Sequence, residues 1–119
     1  MGLSNQNWYY QKQGQLVQND WVKDKEIWYF MNDKGVMFNQ TWLYQGGNWY
    51  AFKSSGAMIA GDWLYDKGEW YYVSSSGAMI ANNWVKDNGK WYYLALSGKM
   101  LRNTYTPDGY YVGNSGAWQ

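Results

Sequence analysis

Tryptophan in this chain comes in pairs seven residues apart, and each second member is followed at once by tyrosine: Trp21 and Trp28-Tyr29, Trp42 and Trp49-Tyr50, Trp63 and Trp70-Tyr71, Trp84 and Trp91-Tyr92. Indole and phenol rings present electron-rich faces. Three such faces turned toward one gap make a cage for a cation that is weakly hydrated and offers no hydrogen bond, and quaternary ammonium is the best match. The methionine of each unit (Met37, Met58, Met79 and Met100) adds a polarizable, adaptable side chain able to close the floor. Other chemistry is poorly provided for. The absence of Cys and His excludes disulfides, thiolate chemistry, His-based acid–base catalysis and typical zinc sites. Carboxylates such as Asp62, Asp66, Glu69 and Asp87 fall on expected turns and strand ends, and none is expected to recur within reach of the cage faces. No phosphate-binding glycine loop precedes a helix. An active site is therefore not expected here, nor a cofactor; any catalytic domain would lie outside these residues.

The rings recur with a fixed period. Trp21, Trp42, Trp63 and Trp84 are spaced by 21 residues (42−21, 63−42, 84−63), and so are Trp28 to Trp91, Tyr29 to Tyr92, Gly35 to Gly98 and Met37 to Met100. Five position classes sharing one period mark a repeat protein. The 119 residues are 22% aromatic, with 10 Trp, 13 Tyr, 14 Gly and 1 Pro, while Leu, Ile and Val are too scarce for an ordinary aliphatic core. The net charge of +1 comes without a basic stripe, so a nucleic-acid partner is not expected. The apolar runs are too short to cross a bilayer, so membrane insertion is not expected either. Met1 to Asn7 lacks the apolar core of an export signal.

Each unit reads as a β-hairpin. Asn88-Gly89 suits a type I′ turn, which demands positive φ at both positions. It sets Asp87 opposite Lys90, Lys86 opposite Trp91, Val85 opposite Tyr92 and Trp84 opposite Tyr93. Side chains alternate along a strand, so Trp84, Trp91 and Tyr93 share one face while Val85 and Tyr92 share the other. The units span 21–41, 42–62, 63–83 and 84–103, with a partial repeat over 1–20 and a divergent capping hairpin over 104–119. The chain thus begins inside a repeat, as a module cut from something longer would. The turn Lys25-Glu26 has no glycine, so its hairpin should be the least regular. A lone hairpin is marginal in water. Each must bury its faces on its neighbours, which gives an all-β repeat solenoid of stacked β-hairpins.

Stacking turns the Trp face of one hairpin toward the Tyr face of the next. The expected sets are Trp21, Trp28 and Tyr50; Trp42, Trp49 and Tyr71; Trp63, Trp70 and Tyr92; and Trp84, Trp91 and Tyr110. The first Tyr of each Trp-Tyr-Tyr triplet is chosen because the second position wanders through Tyr10, Phe30, Ala51, Tyr72 and Tyr93. The same rings could instead merely pack against one another.

The pattern W-x6-W-Y-Y, then a polar turn and G-A-M, as in Trp63…Trp70-Tyr71-Tyr72…Gly77-Ala78-Met79, resembles the choline-binding repeats of Gram-positive cell-wall-binding modules. Such repeats occur in autolysins, phage endolysins and surface proteins. The resemblance implies a left-handed superhelix and choline sites between consecutive hairpins. It implies attachment to choline-decorated teichoic acid, an extracellular, cell-wall-associated location, and a homodimer through the terminal hairpin. The family usually has Gly before the first Trp, where this chain has Asp20, Thr41, Asp62 and Asn83. Aromatic repeats of glucan-binding domains and clostridial toxin tails look similar, which leaves a carbohydrate-binding module and a ligand-free structural or dimerisation module as alternatives.

Overall fold

In a computed structural model, which describes residues 2–4 and 7–119, Asn88 and Gly89 both take positive φ, 49° and 80°. That is the conformation a type I′ turn needs, and its twist matches that of the strands it joins. The pairing is the one the turn dictates: Asp87 faces Lys90, Lys86 faces Trp91, Val85 faces Tyr92 and Trp84 faces Tyr93. Met1, which stands where a leading Trp would be, lies outside the described residues.

The chain divides into two compact units, Met1–Ile59 and Ala60–Gln119. In the first, β1 (Gly2–Ser4) pairs with β2 (Asn7–Tyr9), β3 (Gln11–Lys12) with β4 (Gln15–Leu16), β5 (Asp20–Asp24) with β6 (Ile27–Met31), and β7 (Trp42–Gln45) with β8 (Asn48–Ala51). In the second, β9 (Asp62–Asp66) pairs with β10 (Glu69–Val73), β11 (Asn83–Asp87) with β12 (Lys90–Leu94), and β13 (Thr104–Tyr105) with β14 (Tyr111–Val112). Every sheet is an antiparallel pair, and the described residues contain no helix. The all-β, stacked-hairpin class expected from the repeats is what each unit displays.

One expectation fails. The Lys25-Glu26 hairpin is fully regular, with five residues of β5 paired to five of β6. Lys25 and Glu26 adopt φ of 50° and 70°, so side-chain-bearing residues are held in the left-handed region. Strand pairing on both sides overrides the local preference, at a cost of about 1 kcal/mol or more per residue. The exposed ion pair between Lys23 and Glu26, 3.4 Å apart, returns little of that.

After each hairpin the chain turns and comes back as a short third segment. Met31 bridges to Met37, Phe52 to Met58, Val73 to Met79, Leu94 to Met100 and Val112 to Trp118. These returns bury the residue that ends each hairpin: Met31, Val73, Leu94 and Val112 are wholly inaccessible. In the first unit Val22, Met31 and Met37 pack with Tyr10, Val17 and Tyr29, which joins the Val22/Tyr29 face to the preceding repeat. Phe30, Leu43 and Phe52 pack with Trp21, Tyr50 and Met58, which joins the Trp face to the following one.

Glycine between the hairpins is required twice over. Gly98 has φ of 93°, and a β-carbon there would stand 2.5 Å from Met79 Sδ; at Gly56, with φ of 89°, it would stand 2.5 Å from Met37. The methionine of one unit therefore fills the space that a side chain on the next unit's glycine would need. Gly98→Ala should destabilise by about 2 kcal/mol or more, through strain and overpacking together. Glu26→Gly should stabilise by about 0.5–1 kcal/mol, relief of strain exceeding the added unfolded-state entropy. Denaturant unfolding of both variants checks the opposite signs.

Candidate functional site

The clefts form because a β-strand alternates its faces while the next hairpin supplies the opposing ring. In the second unit Trp63 packs edge-on against its cross-strand partner Tyr72, with centroids 5.0 Å apart, and against Tyr92 of the following hairpin at 5.1 Å. Trp63, Trp70, Tyr92, Met100, Asp62 and Ser115 line a cavity of about 430 Å³. One repeat further on, Trp84 packs against Tyr93 at 5.2 Å and Tyr110 at 6.0 Å. Trp84, Trp91, Tyr110 and Trp118 line a cavity of about 240 Å³ with no other side chain. In the first unit Trp21 lies 6.3 Å from Trp28, at 89°, and 4.9 Å from Tyr50. The structure thus brings together three of the expected ring sets.

The fourth set draws on both units, and its members are described within their own. Trp42 sits on β7, half-buried and opposite Ala51. Trp49 on β8 is exposed and packs on Tyr44 at 5.1 Å. Tyr71 on β10 is half-buried opposite Leu64.

The methionines are not where the sequence suggested. The repeat order groups each methionine with the Trp pair of its own repeat, so Met79 with Trp63 and Trp70, but Met100 borders the Trp63/Trp70 cleft. The cause is the third segment. It bridges to its own hairpin's second strand and thus travels with that strand's Tyr toward the preceding unit. Met100 donates its backbone N–H to the Trp70 carbonyl at 2.7 Å, and Met58 donates to that of Trp28 at 2.9 Å. Met58 accordingly packs with Trp21 and Tyr50. Met37 is core, donating to the Trp8 carbonyl, and Met79 bridges to Val73 and lies beneath Gly98. At the last cleft Trp118 takes the methionine's part, donating to the Trp91 carbonyl at 2.8 Å.

Nor does the expectation that no acidic group recurs near the rings hold. The indole Nε1–H of Trp63 donates to Asp87 Oδ2 at 3.1 Å, and that of Trp84 donates to Asp108 Oδ2 at 3.0 Å. Both carboxylates lie 24 residues beyond their indole (87−63, 108−84), near the turn of the next hairpin. A constant offset between Asp and Trp was the available signal. The outer faces of the second tryptophans are covered differently: Lys23 Nζ lies 5.7 Å from the Trp28 ring and Lys86 Nζ 5.8 Å from that of Trp91, while Tyr65 packs on Trp70 at 5.1 Å. Among the described residues no cluster of three or more acidic or metal-binding side chains could hold a metal ion.

Residues 19–37, 40–58 and 61–79 match the putative cell wall binding repeat, and residues 78–118 match the choline-binding repeat. Choline binding protein F from Streptococcus pneumoniae is 39% identical with a TM-score of 0.82, over 99% of this chain and 39% of that one. The choline binding domain of Spr1274 in Streptococcus pneumoniae is 41% identical with a TM-score of 0.60, over 66% of this chain and 92% of that one. The modular autolysin LytC from Streptococcus pneumoniae is 32% identical with a TM-score of 0.54, over 93% of this chain and 31% of that one. This chain spans about two-fifths of the length of choline binding protein F. Comparison with curated proteins returns no match. Fold and clefts define a hairpin-repeat binding module. The chain belongs to the choline-binding repeat family and is a cell-wall-binding module.

The Thr106 hydroxyl first, and then the Trp84 indole, hold the Asp108 carboxyl below its usual range. A carboxylate favoured by the fold contributes stability above the unfolded value, near pH 3.8, and loses it as the pH falls through the lower folded value. An NMR titration of Asp108 should give a midpoint below 3.8, and Thr106→Val should move it upward.

Proposed function

We propose that the clefts between consecutive hairpins bind the trimethylammonium group of choline, and that the chain attaches its parent protein to choline-decorated teichoic acid at the cell wall without catalysing a reaction. The binding residues are Trp63, Trp70 and Tyr92 with Met100; Trp84, Trp91 and Tyr110 with Trp118; Trp21, Trp28 and Tyr50 with Met58; and, by the repeat, Trp42, Trp49 and Tyr71. The observation that carries this reading is the cavity of about 240 Å³ walled by four aromatic rings alone. A gap of that kind suits a cation with nothing to hydrogen-bond. It is poorly suited to a sugar, whose hydroxyls need polar partners, and it is more room than interlocking filler would leave. A structure of CbpF in complex with ipratropium, obtained by soaking, is among those this chain resembles.

Magnitudes favour many sites over one. A desolvated cation–π contact contributes about 1–2 kcal/mol. Three walls, less the cost of immobilising the ligand, leave about 4 kcal/mol, or a millimolar Kd. Linked sites meeting a polymer with many choline groups gain about 10²–10⁴ in avidity.

Titration with choline should change tryptophan fluorescence with a millimolar midpoint. At about 100 times Kd each occupied site should add about 2.7 kcal/mol of stability. Trp70→Ala should weaken its own cleft about tenfold, one ring's worth. Fluorescence and melting temperature that ignore choline but respond to dextran would replace this reading with the glycan one. Indifference to both would leave a structural module.

A further inference from the structure

Both cavities of the second unit have a carboxylate bonded to one of their walls. Asp87 accepts the Trp63 indole N–H and Asp108 accepts that of Trp84. Such a charge-assisted bond restrains the rotation of the ring that lines the gap. It also polarises the indole, drawing the N–H bond toward the carboxylate and enriching the π face that meets the ligand. The negative charge also attracts a cation held against that ring. Asp108 is itself held by the Thr106 hydroxyl, which donates to its other oxygen.

The first unit lacks this charge. Gln45 occupies the equivalent place 24 residues beyond Trp21 (45−21), on the hairpin that supplies Tyr50. The Trp21 and Trp84 clefts differ in their fourth member, Met58 against Trp118, but share two features. Each first Trp packs on a buried cross-strand ring, Phe30 or Tyr93, and each second Trp carries a lysine ammonium on its outer face.

We propose that Asp87 and Asp108 are positioning residues that raise the affinity of the Trp63 and Trp84 clefts for an organic ammonium ion, and that neutral Gln45 leaves the Trp21 cleft weaker. The inference rests on the cation-binding reading above. It makes the clefts unequal: a choline polymer engages the carboxylate-backed sites first.

The indole N–H resonances of the whole chain, assigned by single Trp→Phe variants and titrated with choline, read each cleft separately. The Trp63 and Trp84 protons should lie downfield of that of Trp21 before any ligand is added. Their choline midpoints should be lower. Asp108→Asn, which keeps an acceptor but removes the charge, should weaken the Trp84 cleft by about threefold to tenfold and leave the Trp63 cleft unchanged. Gln45→Asp should strengthen the Trp21 cleft by a similar factor, a gain that damage to the fold cannot imitate. Midpoints unmoved by both substitutions, in protein that still responds to choline, would overturn the inference and leave choline binding intact. Equal weakening of the Trp63 and Trp84 clefts by Asp108→Asn would also overturn it, as general loosening. Indole signals that never respond to choline in the unsubstituted chain would remove the cation-binding reading, and this inference with it.

Discussion

One backbone contact recurs wherever a hairpin meets the next within a unit. The N–H of Met100 reaches the Trp70 carbonyl at 2.7 Å, that of Met58 reaches Trp28 and that of Met37 reaches Trp8 at 2.9 Å, and that of Trp118 reaches Trp91 at 2.8 Å. A two-stranded ribbon has unpaired groups on both edges and buries too little to stand alone. This bond satisfies one edge carbonyl and fixes the spacing of successive ribbons at one point per repeat. Much else follows from it. The methionine side chain is carried beneath the next glycine, as Met79 beneath Gly98, so the glycine can bear no side chain. Tyr92 is carried against Trp63 and Asp87 to its indole N–H. The clefts are thus a consequence of how the fold closes. The second tryptophan serves twice, its carbonyl as an anchor and its ring as a wall.

The alternation of faces was legible because it depends on local rules only. Asn88-Gly89 specified the turn, the turn specified the register, and the register placed Trp84, Trp91 and Tyr93 together. That Tyr50, Tyr92 and Tyr110 meet a first Trp was legible too, since Ala51 replaces a ring at the second position of the triplet. The structure gives the reason: Phe30, Ala51 and Tyr93 are buried against the first Trp's strand and shape the core of the hairpin. What was not read was the course of the third segment and the indole edge it leaves for the next hairpin's turn. Met100 belongs to the Trp70 cleft only because a third segment, bridged at Leu94, folds back on its own ribbon. Asp87, expected only at a turn or strand end, has its partner Trp63 more than a full repeat away.

Lys25-Glu26 failed in the opposite direction. There the local rule was applied correctly and lost. Five cross-strand pairs and the packing of Val22, Phe30 and Met31 hold the turn in a conformation its residues resist. Regular geometry is therefore no sign of low strain, and this hairpin holds its shape with help from its neighbours rather than from its turn.

The two tryptophans of a unit live in different surroundings, and the difference bears on what they are for. The first (Trp21, Trp63 or Trp84) is half-buried between a ring of its own hairpin and one of the next. The second is 40% exposed at Trp28, 43% at Trp49, 40% at Trp70 and 40% at Trp91. A large apolar ring left in water is costly relative to a polar residue at the same place, and a scattered one would attract no comment. Here the exposure is nearly constant although the surroundings are not, with lysine over two of these rings and tyrosine against the others. Filler rings packed by chance would be covered to different depths as their neighbours changed. A ring kept open to the same degree in each repeat is better accounted for by a partner that completes the burial, and the electron-rich face it leaves free is the part of the indole that a cation would cover.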